Sequence, residues 1–173
     1  MERVIVIGCP GSGKTVFSKK LAEKTGLPLI HLDSVWWKAD RTHISRDDFD
    51  RRLEEIMAQD RWIIDGDYSR TYEIRFMHCD TVLLFDLPEE VCLEGIVSRT
   101  GTEREDMPWT DTVTDPSLVQ EVRKYRTENR PVVMALIEKY TDKDIHIFRT
   151  REEAAVWLDH YSKEKWSESF VRC

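Results

Sequence analysis

The chain has 173 residues, 33 acidic and 26 basic, for a formal charge of −7. That length suits one compact unit with its own core, and the acidic balance repels phosphate backbones and anionic membranes, so nucleic acid is a poor partner. Four cysteines, Cys9, Cys79, Cys92 and Cys173, stand far apart with no CxxC pair, which excludes a zinc pattern and a dense disulfide framework and fits a reducing, cytoplasmic setting.

The N-terminus runs MERVIVIG directly into a glycine-rich segment, so no separate signal peptide is expected. No apolar run nears the roughly 20 residues that span a bilayer, and a soluble protein follows. Short apolar runs alternate with stretches of helical spacing, the pattern of an α/β chain with a buried parallel sheet. Val4 to Ile7 form the first strand, and the next helix carries Phe17 and Leu21 on one face. Leu27 to Leu32 read as strand two. Ser45 and Asp48 have capping-box spacing, and Phe49, Leu53, Ile56 and Met57 then mark an amphipathic helix. Arg61 to Asp65 form strand three, ending at Gly66.

Thr81 to Phe85 form strand four, closed by Asp86, and Pro88 suits the first turn of a helix that fades near Gly101. Thr100 to Pro116 is polar and aperiodic, a mobile loop and lid, so a lid insertion is expected at about 100–130. Ser117 and Gln120 open a helical stretch through Tyr140 that Pro131 must kink or divide. Ile145 to Phe148 form the last strand. Thr150 with Glu153 caps a final helix whose face is Ala154, Trp157, Leu158 and Tyr161.

Between the first strand and its helix lie Gly8, Cys9, Pro10, Gly11, Ser12, Gly13, Lys14 and Thr15, a full G-x-x-x-x-G-K-[ST] pattern in the setting its mechanism requires. Glycines let successive N–H groups turn inward around phosphates, and the helix N-terminus adds its positive dipole end. This phosphate-binding loop is expected to hold ATP. Lys14 reaches the β- and γ-phosphates, the Thr15 hydroxyl is a Mg2+ ligand, and a carboxylate at a neighbouring strand end holds the metal's water shell.

Beyond GCPGSGKT the chain carries IHLD at Ile30 to Asp33, WIIDGDYSR at Trp62 to Arg70, LLFDLP at Leu83 to Pro88 and IVSR at Ile96 to Arg99. In that order these segments resemble the small P-loop kinases of the adenylate kinase group, and most closely the bacterial topology modulation proteins, nearly end to end. The resemblance implies a three-layer α/β/α P-loop fold with a five-stranded parallel sheet in the order 2-3-1-4-5. It also implies an acceptor region after strand two and a lid after strand four. In adenylate kinases a DG-F-P-R segment places its aspartate near Mg2+ and its arginine on the acceptor phosphate. Asp65, Gly66 and Arg70 are similar to those parts, with the Phe-Pro pair replaced by Asp67, Tyr68 and Ser69. The helix entering the lid carries two arginines in those kinases; Arg99 matches one, and Gly95 stands at the other position.

Asp33 follows strand two, where hydroxyl-phosphorylating P-loop kinases resemble one another in placing an aspartate as base or orienter; a capping or Mg2+-water role would use the same position. Arg99, Arg123, Arg126 and Arg130 bracket or follow the lid. Of these, Arg99 and Arg130 are expected to face the charge on the transferred phosphoryl group. Trp36 and Trp37 could form a flat wall for a base or sugar, or pack in the core. His31 reads as a packed core histidine, since no second histidine sits at metal spacing. Cys9, near a helix N-terminus, is either a thiol of lowered pKa or a tolerated small residue. Thr150 and Arg151 follow the last strand, where adenine rests in the resembled kinases, or cap the final helix.

Two functions fit these residues: a kinase moving the ATP γ-phosphoryl group to a nucleoside monophosphate or small hydroxylated metabolite, and a nucleotide-binding regulator of DNA topology without catalysis. The negative charge and the lack of a basic stripe outside the lid count against the regulator. A GTPase would need NKxD, and Thr141 to Asp144 reads TDKD.

Overall fold

The computed structural model describes residues 1–103 and 106–161. Its sheet has five parallel strands in the order β2-β3-β1-β4-β5, as the resemblance implied. The strands are β1 (Arg3–Gly8), β2 (Leu29–His31), β3 (Trp62–Asp65), β4 (Thr81–Phe85) and β5 (Asp144–Phe148). β1 lies at the centre, with Val6 beside Asp65 of β3 and Leu83 of β4. This register sets the carboxyl ends of three strands side by side.

Eight helices connect and cover the described sheet: α1 (Lys14–Thr25), α2 (Leu32–Trp36), α3 (Arg46–Met57), α4 (Tyr72–His78), α5 (Glu89–Ser98), α6 (Pro116–Tyr125), α7 (Asn129–Lys139) and α8 (Arg151–His160). The two-residue period of β1 assigns them to two layers. Val4 and Val6 pack with Phe17 and Leu21 of α1, Cys92 and Ile96 of α5, Tyr125 of α6 and Leu158 of α8. Ile5 and Ile7 face the opposite layer, with Phe49 and Leu53 of α3, Phe76 of α4 and Val133 and Leu136 of α7. Every residue of β1 from Val4 to Ile7 is fully buried, which is why these strands read as continuous apolar runs.

Caps set several helix starts. The Ser45 hydroxyl accepts from the Asp48 N–H at 3.0 Å, and the Thr150 hydroxyl from the Glu153 N–H at 3.1 Å, both as expected. Several boundaries differ from the sequence expectations, most by a single residue and three in ways that bear on the site. Strand two is shorter than expected, and Asp33 sits in the first turn of α2. The cap of α6 is Asp115, whose carboxylate accepts from the Ser117 N–H at 2.8 Å, with Pro116 opening the helix where a missing N–H costs nothing. The long helical stretch is divided after Tyr125, and Pro131 falls in the first turn of α7. Among the described residues no helix is long and apolar enough to cross a membrane.

Candidate active site

The phosphate loop leaves β1 at Gly8 and turns through a Ser12 N–H to Cys9 carbonyl bond of 3.2 Å. It then enters α1 at Lys14. Gly11 has φ +80°, and a Cβ there would come within 2.1 Å of the Cys92 carbonyl of α5. Gly95, one turn along α5, answers it: a Cβ at Gly95 would stand 2.0 Å from the Gly11 carbonyl. The loop and α5 therefore touch backbone to backbone, which leaves no room for the second lid arginine of the resembled kinases. The Arg151 guanidinium of α8 occupies this junction instead, donating to the carbonyls of Gly11 at 2.9 Å, Ser12 at 3.3 Å and Val91 at 3.1 Å. Arg151 thus clamps the loop, and Thr150 caps α8.

Lys14 is buried and its Nζ donates to the carbonyls of Gly8 at 2.7 Å and Cys9 at 2.8 Å, holding the loop's entry. The Cys9 thiol is buried against Cys92. The hydrogen bond with that thiol, together with burial, pushes it well above the usual thiol range, so the reading of Cys9 as a thiol of lowered pKa is corrected.

A cleft of about 1400 Å³ opens above the carboxyl ends of the strands. Of the expected site residues, it is lined by Pro10, Gly11, Gly13, Lys14, Thr15, Asp33, Trp36, Trp37, Asp65, Gly66, Arg99 and Arg151. Gly8, Cys9 and Ser12 form the loop from beneath. Two expected arginines lie elsewhere. Arg70 is half-exposed and grips Asp50 through two bonds of 2.8 and 2.6 Å. Arg130 grips Asp86 through bonds of 2.7 and 2.9 Å, and that pairing holds the Asp86 carboxyl below the usual carboxylate range.

Asp65 ends β3 beside β1 and is 4 % exposed. Its Oδ2 meets the His31 Nδ1 at 2.9 Å, so His31 is a partner of the site rather than an inert core residue. Its Oδ1 is buried without a hydrogen-bond partner. An orphaned carboxylate oxygen facing the same cleft as the Thr15 hydroxyl fits a hydrated divalent cation. No group of three or more His, Cys, Asp or Glu side chains is placed to hold a metal among the described residues.

Sequence reasoning passed over several residues of the cleft. Asp106, 2 % exposed, accepts from the Thr15 hydroxyl at 3.1 Å, and its backbone carbonyl accepts from Ser34 at 2.9 Å. The Tyr68 hydroxyl donates to Asp33 at 2.9 Å. Burial and the Asp33 charge hold the Tyr68 phenol far above its ordinary pKa, so it remains a donor. Trp109 faces Trp37 edge-on at 5.6 Å. Trp36 stacks on His43 at 4.4 Å, so it is part core and part wall. The replacement of the Phe-Pro pair by Asp67, Tyr68 and Ser69 was the sequence signal that this wall is specialised.

No family model matches the chain. The adenylate kinase of Mycobacterium bovis is 28 % identical, covering 82 % of this chain and 87 % of its own. A sugar kinase from Janibacter sp. superposes with a TM-score of 0.53 at 23 % identity, covering 92 % of this chain and 95 % of its own. A shikimate kinase from Acinetobacter baumannii, solved with shikimate, gives 0.59 at 16 % identity, covering 97 % and 94 %. The fold is that of P-loop kinases. The curated relatives together with the loop support a P-loop phosphotransferase, with its acceptor unspecified.

Proposed function

We propose that the chain is an ATP-dependent, Mg2+-assisted kinase that transfers the γ-phosphoryl group to a small-molecule acceptor, a nucleoside monophosphate or a small hydroxylated metabolite. The observation that carries this reading is the single cleft that Lys14, Thr15, Asp65 and Asp33 all line. A phosphate cradle, a metal carboxylate and a possible base converge there. In this reading ATP lies on Gly8 to Thr15, with Arg151 and Thr150 behind the base. Thr15 and Asp65 would hold Mg2+, which when bound would neutralise charge on the phosphates.

Lys14 turns its ammonium from the loop carbonyls toward the transferred group. Arg99 meets the charge spread over its equatorial oxygens. Asp33, oriented by Tyr68, takes the acceptor's hydroxyl proton as that oxygen bonds phosphorus and the β–γ bridge breaks. Trp36, Trp37 and Gly66 bound the acceptor, and of the segment 100–130 the part before α6 is the lid that excludes water, since Val122 and Tyr125 of α6 are core residues. We place the activity in the cytoplasm, where Cys9, Cys79 and Cys92 are free thiols.

The test is ADP release with Mg2+ and ATP across a panel of acceptors, with Lys14→Ala as the blank. Acceptor-stimulated release, lost by at least about 10²-fold in the blank, is expected. Equal rates in the two proteins would overturn the reading.

A further inference from the structure

The acceptor half of the cleft is acidic and aromatic. Asp67 lines it, and its two oxygens accept only from neutral donors, the Tyr72 hydroxyl and the Asn129 amide, the latter at 2.7 Å. Glu121, on the face of α6 toward the cleft, has no ion pair among the described residues. Burial and the charges of Asp33, Asp115 and Asp67 raise its carboxyl above the usual range, so these carboxylates share one field. Tyr125, one turn further along α6, lines the cleft at 2 % exposure, and its hydroxyl is buried without a partner. Trp37 and Trp109 close the wall.

An anionic acceptor would need cations, and outside α1 the basic residues around the cleft are engaged. Arg70 is held by Asp50 and Arg130 by Asp86. Lys124 faces Glu128 at 3.9 Å, Arg41 lies 5.5 Å over the Trp109 ring, and Arg99 serves the phosphoryl group in the kinase reading. Carboxylates beside indole faces favour the opposite charge, since an ammonium gains both Coulomb attraction and cation–π contact.

We propose that the acceptor is a hydroxylated ammonium compound, an amino sugar or amino alcohol, whose nitrogen is received between Asp67 and Glu121 against the Trp37–Trp109 wall, donating to the Tyr125 hydroxyl. This rests on the kinase reading for its chemistry. The acceptor hydroxyl oxygen bonds the γ-phosphorus, its proton passes to Asp33, and ADP departs. It excludes the nucleoside monophosphates and acidic sugars that the kinase reading alone admits.

The test uses the full chain with Mg2+ and a non-hydrolysable ATP analogue, titrated with glucosamine, glucose and glucuronate and with ethanolamine against glycolate. Binding is followed by tryptophan fluorescence. In at least one series the ammonium probe is expected to bind about tenfold or more tighter than its carboxylate counterpart. Glu121→Gln and Asp67→Asn, checked for intact thermal unfolding, are expected to bring that ratio toward one. Glu121 keeps solvent contact along one side of α6 although its carboxyl faces the cleft, so its variant keeps the test open if Asp67→Asn unfolds. Carboxylate probes binding as well as ammonium probes, a ratio unchanged in Glu121→Gln, or no binding in either series would overturn the proposal. ADP release with ATP is scored separately. Charge-selective binding without release sinks the kinase reading alone, whereas release driven by glucuronate or glycolate sinks the ammonium proposal alone.

Discussion

The Thr15 hydroxyl donates to the Asp106 carboxylate across 3.1 Å, joining the end of the phosphate loop to a residue 91 positions along the chain. A hydroxyl that donates its proton to a carboxylate still offers lone pairs to a metal, so Asp106 would orient Thr15 for Mg2+ from behind. Such supporting contacts commonly matter about 10- to 100-fold in metal affinity. Asp106→Asn is therefore expected to raise the Mg2+ concentration for half-maximal ATP turnover by about tenfold, with the maximal rate changed less. An unchanged Mg2+ titration would leave Asp106 as a tie between the loop, Ser34 and the segment around it.

The contact between Gly11 and Gly95 makes a second expectation. Any side chain at residue 95 drives into the Gly11 carbonyl and, at 2.7 Å, the Arg151 guanidinium. Gly95→Ala should cost about 1–3 kcal/mol by overpacking. For a chain of this size that lowers the melting temperature by roughly 2 to 4 °C per kcal/mol. Nucleotide affinity should fall with it, because the displaced atoms are those of the phosphate loop. Thermal unfolding and ATP titration check both; a variant as stable as the parent would mean that α5 moves away from the loop without cost.

What could be read from the sequence was what neighbouring residues decide. The loop pattern, the Phe17–Leu21 spacing and the Ser45 and Thr150 caps each depend on positions within a few residues of one another, and each is in place. The partners chosen across the fold were not legible. His31 was read as a packed core histidine because no second histidine sits at metal spacing, but the register of β2 on β3 sets it opposite Asp65. Arg70 and Arg130 look like free cations until the packing brings Asp50 and Asp86 to them. Asp65 was easier to place, because it ends a strand that can be read without reference to distant chain.

Arg130 then acts on stability, with a defined pH dependence. Asp86 is nearly buried, and losing its partner would strand a carboxylate at a cost of roughly 3 kcal/mol. The Asp86 carboxyl titrates below its ordinary value in the folded chain because Arg130 bonds it. Its contribution is thus complete above the unfolded aspartate pKa of about 3.9 and is lost as pH falls through the lower folded value. Urea unfolding should show the wild type well above Arg130→Ala at pH 7, with the gap narrowing below pH of about 4. A gap that is constant with pH would assign the loss to packing, and a variant of normal stability but slow turnover would return Arg130 to the catalytic machinery.

Asp33 and Tyr68 separate a base from a scaffold. The Tyr68 phenol stays protonated and fixes one Asp33 oxygen, which leaves the carboxylate aimed by a neutral donor. If Asp33 takes the acceptor proton, Asp33→Asn should lower kcat by about 10²- to 10⁴-fold with ATP affinity intact. Tyr68→Phe keeps the base and removes only its orientation, so a smaller fall of about tenfold is expected. The order of the two effects is the informative part. Equal losses would mean that Tyr68 touches the reacting group itself. An Asp33→Asn enzyme that retains its rate would show that the acceptor oxygen needs no base, as an already anionic phosphate acceptor would not, and the ammonium acceptor inferred from Asp67 and Glu121 would fall with it.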